Sequence, residues 1–253
     1  MEPYAATEHF HLLFLGQLTK RVAPELFAVK GGCNLRFYLR SVRYSEDIDL
    51  DLHKVSLETL RSNVRTILKS RSLTDTLHAT GIRIVKSSEP KQTQTTQRWK
   101  LSLLVDGLER EIPTKIEFSR RDGIEGAVME PISPEILTSH KLYPFAAFHY
   151  PRSWAVRQKI AALIGRTQTQ ARDVFDLSFL LNDELDRTGY ALSSVEVKTA
   201  SEHALSLSFD DYRSQVVAFL LPEFQSLYGT EQQWNRMIAS VLDFLQKVGH
   251  EST

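Results

Sequence analysis

Apolar residues recur at helical spacing close to the start of the chain, where Phe10, Leu13, Phe14 and Leu18 form one stripe of a helix expected over residues 5–21. Ala23-Pro24 interrupts that pattern before a short apolar strand, Phe27 to Val29. Two glycines follow, Gly31 and Gly32, and then a segment from Cys33 to Tyr38 that reads as a short helix. The next strand is marked by strict alternation: Ile48, Leu50 and Leu52 share one face, while Asp47 and Asp49 share the other.

Ser56 is placed to cap a helix through about Ser70, with Leu57, Leu60, Val64, Ile67 and Leu68 inward. Strands are expected at 81–88, 97–106 and 109–118, with the threonine- and glutamine-rich stretch Ser87 to Gln97 as an exposed hairpin loop. On the last strand Ile112, Thr114, Ile116 and Phe118 face one way, Lys115 and Glu117 the other. Ser133-Pro134 opens a helix through Lys141, and the periodicity is helical from there to the end. Helices are expected at 153–164, 170–182, 195–206, 209–220 and 231–248. The pattern predicts an α+β chain: a mixed β-sheet core flanked by helices over residues 1–125, then a mostly helical half, 126–253, closing a cleft against it.

The polar face of the second strand carries the candidate chemistry. Asp47 and Asp49 project from the same side, their carboxylates roughly 6–7 Å apart by the rise of a strand. Carboxylates so placed suit a pair of Mg²⁺ ions, which take their other ligands from water and substrate phosphates. Gly31 and Gly32, lacking Cβ, let backbone approach a triphosphate closely. Lys30 and Arg36 add charge nearby. A Gly-Gly pair is also an ordinary turn, and Asp-x-Asp an ordinary solvated edge; their combination in this order favours a nucleotide and metal site. Glu117 is the candidate third metal ligand, or the base that deprotonates an attacking hydroxyl; the alternative is a plain exposed glutamate. Further on, Val156, Ile160 and Leu163 mark one helix and Val174, Leu177, Leu180 and Leu181 the next. Asp173 and Asp176 are neighbours on the second, a repulsive pair unless Lys159, Arg166 or Arg172 joins them.

These pieces resemble the AbiEii family, nucleotidyltransferase-like toxins of bacterial toxin–antitoxin systems related to the MenT toxins and, more distantly, to polymerase-beta-like transferases. The resemblance rests on Lys30-Gly31-Gly32 with Leu35 and Arg36, on Arg43-Tyr44-Ser45-Glu46-Asp47-Ile48-Asp49-Leu50, on Lys159 to Leu163 with Arg166, and on Ala171 to Leu177, spanning residues 25 to 181. It implies a nucleotidyltransferase-type sheet in which Gly31, Gly32, Asp47 and Asp49 hold the nucleotide and metal. Glu117, around which no family motif lies, remains the candidate third metal ligand from its strand position, and Lys30 and Ser45 are expected beside the nucleotide. It implies further that Lys159 reaches the phosphates and that Asp173 and Asp176 complete or brace the pocket. The implied reaction moves a nucleoside monophosphate from NTP–Mg²⁺ to an acceptor hydroxyl, plausibly a tRNA end, in a toxin with a cognate DNA-binding antitoxin. Transfer to a small molecule and a non-catalytic nucleotide- or partner-binding module are the alternatives.

Composition narrows the field. At 253 residues, 42% of them hydrophobic, the chain can bury a full core. No apolar run approaches the ~20 residues of a membrane span, no leader pattern opens it, and the single cysteine, Cys33, permits no internal disulfide; a cytoplasmic protein is expected. The formal net charge is zero, but residues 1–125 hold 20 Lys and Arg against 16 Asp and Glu, and the remainder 11 against 15. Arg36, Arg40 and Arg43, then Arg83, Lys86, Lys91, Arg98 and Lys100, could guide an RNA backbone, although solvated strand edges account for them equally well. Walker, nucleophile-elbow and zincin motifs do not occur. His9 and His11, two apart on a helix, face different directions and make a poor zinc pair.

Overall fold

The computed structural model describes residues 1–121, 123–181 and 190–250. The chain divides into two compact units, Met1–Arg40 with Tyr44–Tyr150, and Ser41–Arg43 with Pro151 onward. The boundary expected at residue 125 falls inside the first unit.

The first unit runs α1 (Pro3–Leu18), β1 (Phe27–Lys30), α2 (Gly31–Phe37), β2 (Asp47–Leu52), α3 (Leu57–Leu68), α4 (Arg71–Ala79), β3 (Ile82–Gln92), β4 (Thr96–Val105), β5 (Ile112–Ser119), β6 (Val128–Pro131), α5 (Pro134–Ser139) and β7 (Ala146–His149). Its described strands form one mixed sheet of order β3-β4-β5-β2-β1-β7-β6. The central pairs are β1 with β2, antiparallel, and β2 with β5, parallel. Alternation holds where it was expected: Ile48 and Leu50, Trp99 and Leu101, and Ile116 and Phe118 are buried. They pack with Phe10, Phe14 and Leu18 of α1 and with Leu60, Val64, Leu73 and Leu77 of α3 and α4 in one apolar core.

Several elements depart from the expected pattern. Helix α1 is buried on nearly all sides, Glu8, His9 and His11 included, rather than along one stripe. Glu8 is tolerated there because Arg36 reaches it at 2.6 Å and His140 at 2.9 Å. Helix α2 begins at Gly31, not Cys33, so the glycines form its first turn. Ser87 to Gln97 is not a loop: β3 extends to Gln92, β4 starts at Thr96, and only Thr93 to Thr95 turn the chain. This is a hairpin on the sheet edge, its ladder interrupted between Ser88 and Lys91, with polar side chains both exposed (Ser87, Ser88) and buried (Thr96, Gln97), so no apolar alternation betrays it. Arg61 and Arg65 of α3 hold Glu89 of this hairpin at 2.7 and 2.6 Å. Strands β6 and β7, four residues each, lie where helix was expected to begin dominating.

The second unit comprises α6 (Arg152–Gly165), α7 (Ala171–Leu180), α8 (Ser194–Leu205), α9 (Phe209–Gln215), α10 (Pro222–Tyr228) and α11 (Glu231–His250). Val156, Ile160, Leu163, Val174 and Leu177 are buried, as the periodicity implied. Position 182, the expected end of the α7 segment, lies outside the described residues. The helix expected over 209–220 stops at Gln215; a 3₁₀ turn, Val217–Phe219, leads instead to Pro222, which starts α10. Ser41–Arg43 joins this unit through a bridge between Arg43 and Leu220 and a 2.9 Å bond from the Leu221 amide to the Val42 carbonyl. Among the described residues no helix is long and apolar enough to cross a membrane.

Candidate active site

Strand register assembles the carboxylates. In the parallel pair β2/β5, Asp47 lies opposite Lys115 and Asp49 opposite Glu117, while in β1/β2 Lys30 lies opposite Asp49. The period-two alternation then sets Asp47, Asp49, Lys115 and Glu117 on one face, with Ile48 and Ile116 in the core behind them. Gly31 closes the approach from the other strand. It adopts φ +64, and a Cβ there would stand 3.1 Å from Asp49 Oδ2. The glycine turn and the Asp-x-Asp strand therefore meet at a single point, and only glycine leaves the space and takes the backbone angle.

The carboxylates do not stand alone. Lys115 Nζ is 3.0 Å from Asp47 Oδ2 and 3.7 Å from Glu117 Oε2. Arg98, opposite Glu117 on β4, donates from Nε to the same Oε2 at 2.6 Å. Burial pushes the Asp49 carboxyl up, and Asp47 and Glu117 add to this against the pull of Lys115 and Lys30. Burial also pushes Glu117 up, but Arg98, Lys115 and Lys30 outweigh it and leave that carboxyl below its ordinary range. Burial favours the neutral amine of Lys115, and Asp49, Asp47 and Glu117 reverse the effect, so its ammonium is held firmly. An ionised, cation-held Glu117 suits a ligand better than a base.

An all-oxygen set of three carboxylates on one face fits a hard divalent ion such as Mg²⁺. In the side-chain arrangement present, however, no three His, Cys, Asp or Glu groups among the described residues converge on a common metal position. Asp47 and Glu117 converge on the Lys115 ammonium instead.

The remaining expected residues are placed as follows. Lys30 forms an ion pair with Asp51, which is buried and also accepts from the Tyr150 hydroxyl at 2.8 Å. Ser45 donates to the Asp47 carbonyl at 2.8 Å, fixing the start of β2. Gly32 occupies the first turn of α2 with Gly31. Behind β2, His11 meets Thr114 Oγ1 at 2.8 Å, and Thr114 donates to the Glu46 carbonyl at 2.8 Å. Burial lowers the pKa of His11 to about 4, so the ring is neutral. Cys33 is buried, its thiol pushed up chiefly by that burial.

Lys159, Asp173 and Asp176 form a constellation of their own in the second unit. Lys159 Nζ lies 3.1 Å from Asp173 Oδ1 and 2.6 Å from Asp176 Oδ2. Arg166 reaches Asp173 at 2.7 Å. Arg43 takes both oxygens of Asp176, at 2.9 Å to Oδ2 and 3.0 Å to Oδ1. Burial pushes Asp176 up, but Arg43 and Lys159 outweigh it and hold its carboxyl below the usual range. Among the described residues Arg172 takes no part, its Nε donating to Gln170. Three cations against two acids, counted among the described residues, leave one positive charge in excess in this cluster.

Sequence reasoning missed Lys115 as the cation of the triad, Asp51 as the partner of Lys30, and Arg43 as the partner of Asp176. The alternation that put Lys115 on the Glu117 face was the available signal. Neither alternative left open for Arg36 and Arg43, an RNA track or a solvated edge, describes them: Arg36 is committed to Glu8 and Arg43 to Asp176, both pairs buried.

The family model described as "Nucleotidyl transferase AbiEii toxin, Type IV TA system" matches residues 13–250. Among solved structures, JHP933 from Helicobacter pylori aligns with TM-score 0.64 and 20% identity, covering 100% of this chain and 94% of that one. An H. pylori protein described as a "putative nucleotidyltransferase" aligns with TM-score 0.58 and 17% identity, covering 100% and 97%. At those identities the two structures speak for the fold. No curated protein matches the chain. The extent of the family match is decisive: the chain belongs to the AbiEii nucleotidyltransferase toxins of type IV toxin–antitoxin systems.

Proposed function

We propose that the chain transfers a nucleoside monophosphate from an NTP to a hydroxyl at an RNA end, with Asp47, Asp49 and Glu117 as the metal-holding carboxylates. The observation that carries this reading is the meeting of Gly31 with Asp49, 3.1 Å from a built Cβ to Oδ2, on the face where Asp47 and Glu117 stand. Mg²⁺, when bound, would neutralise phosphate charge and polarise the reacting phosphorus. The chain's own contributions are positional. Gly31 admits the triphosphate backbone beside Asp49; Ser45 and Thr114 hold the Asp47 and Glu46 carbonyls and so fix where the Asp47 carboxylate points. In this reading the excess positive charge around Lys159 serves the phosphates, with Asp173 and Asp176 keeping its ammonium in one place.

A nucleic-acid acceptor is favoured over a small one by the surface beside Asp47. A depression of about 480 Å³ runs from Asp47 and Lys115 across the sheet, lined by Lys100, Ser102, Lys86 and Ser88. Cross-strand pairing sets Lys115 opposite Lys100 and Lys100 opposite Ser88, so these two lysines form a row leading away from the acids, with Lys86 beside it opposite Ser102 and paired with Glu111 at 2.8 Å. Such a row suits a phosphate backbone. A cognate antitoxin is the protein partner the family implies, and we propose a DNA-binding one.

Incubation with Mg²⁺, each α-labelled NTP and total RNA should label one RNA class. Asp47→Asn should reduce labelling by about 10³-fold or more, roughly 4 kcal/mol of transition-state stabilisation, without loss of fold. Labelling of a small metabolite with no RNA labelled would refute the acceptor; wild-type rates in Asp47→Asn would refute the site.

A further inference from the structure

Asp47 and Glu117 share a cation that the chain itself supplies. Lys115 sits opposite Asp47 in the strand register and two residues before Glu117, so its side chain rises between the two acids. The contacts are 3.0 Å to Asp47 Oδ2 and 3.7 Å to Glu117 Oε2. Its neighbours have other commitments: Arg98 braces Glu117 from β4, and Lys30 is taken by Asp51. Among the described residues Lys115 alone bridges two of the three carboxylates.

We infer that Lys115 is a resident cation of the triad, which a divalent ion must displace before it can use Asp47 and Glu117. This rests on the reading of those carboxylates as metal ligands. A dication and an ammonium a few ångströms apart in a half-buried site repel strongly. The flexible four-carbon stem of lysine lets the ammonium move, and a triphosphate offers it new oxygens. Metal alone is therefore held weakly, and metal with nucleotide strongly. The coupling is reciprocal: whatever nucleotide gains from metal, metal gains from nucleotide. Lysine at 115 thus makes the centre load its ion together with its substrate.

The test uses Mn²⁺ as the probe, with free Mn²⁺ counted by electron paramagnetic resonance, on the full chain without nucleotide and with non-hydrolysable NTP analogues. Wild-type protein should bind Mn²⁺ at least tenfold more tightly with the preferred analogue than without. Lys115→Met should bind nucleotide-free Mn²⁺ at least tenfold more tightly than wild type and respond less to the analogue. Lys115→Gln, which keeps a polar contact to Asp47, should behave likewise and serves if the methionine variant does not fold. Neutral variants that bind Mn²⁺ no more tightly than wild type overturn the inference, because a merely bracing lysine would leave affinity unchanged or weakened. Absence of Mn²⁺ binding in every protein, with and without analogue, would instead reject the metal reading of the carboxylates, and this inference with it.

Discussion

Replacing Asp176 by Asn asks what the second charged constellation contributes. Asp176 is fully buried and receives both Arg43, through two nitrogens at 2.9–3.1 Å, and Lys159 at 2.6 Å. Asparagine has nearly the same shape but no charge, and its amide group presents donors to a lysine that also only donates. Arg43, Lys159 and Arg166 would then face Asp173 alone. The side chains of Arg43 and Lys159 are 5% and 10% exposed, so water screens little of the loss. Breaking such a pair costs about 3–5 kcal/mol, equivalent in a chain of this size to a fall of roughly 10 °C in Tm. The pH dependence follows from the depressed carboxyl. Its contribution is present above the unfolded pKa and is lost as pH falls through the folded one. Thermal unfolding followed by circular dichroism should therefore show a large gap between wild type and variant at pH 7 that narrows in acid. Equal midpoints at pH 7, or a gap that widens as pH falls, would refute the electrostatic account.

Three further substitutions probe the first unit. Asp49→Asn should abolish transfer yet raise Tm at pH 7: the wild-type carboxyl is pushed up, so wild-type stability falls as pH rises from about 3.8 through the folded pKa, and the two proteins should converge near pH 3. A wild type more stable than the variant at pH 7 contradicts this. Gly31→Ala should lower stability by about 1–2 kcal/mol, because φ is +64, and raise the NTP KM, because the new methyl meets Asp49; unchanged KM would place the nucleotide elsewhere. Lys86→Glu with Lys100→Glu should raise the RNA KM by roughly tenfold and flatten its salt dependence, leaving the NTP KM unaltered. Equal loss in both KM values would argue against a separate acceptor track.

The face of β2 was legible because alternation of Asp47, Ile48, Asp49 and Leu50 is a local property of a half-buried strand. The helices around Lys159 and Asp176 were legible for the matching reason at period 3.6. What escaped was whatever depends on register between strands distant in sequence. Lys115 could be assigned to the Glu117 face, but only the β2/β5 pairing brings it to Asp47. Helix α1 misled because a pattern treats Glu8 and His11 as outward, whereas Arg36 and Thr114 satisfy them inside. The Ser87–Gln97 hairpin misled in the opposite sense: its strands pair on both sides of an irregularity at Ser88–Lys91 while its side chains are polar almost throughout, so polarity alone suggested a loop. Four-residue strands such as β6 and β7 carry too few positions for any period to show.

The assignment of Ser41–Arg43 to the second unit, between two stretches of the first, has a practical outcome for dissection of this protein. A fragment ending at Tyr150 would carry Arg43 without the acid that receives it, and a fragment starting at Pro151 would keep Asp176 without its guanidinium. Neither half is a clean excision, so mixing separately expressed halves should work poorly unless residues 41–43 travel with the helices.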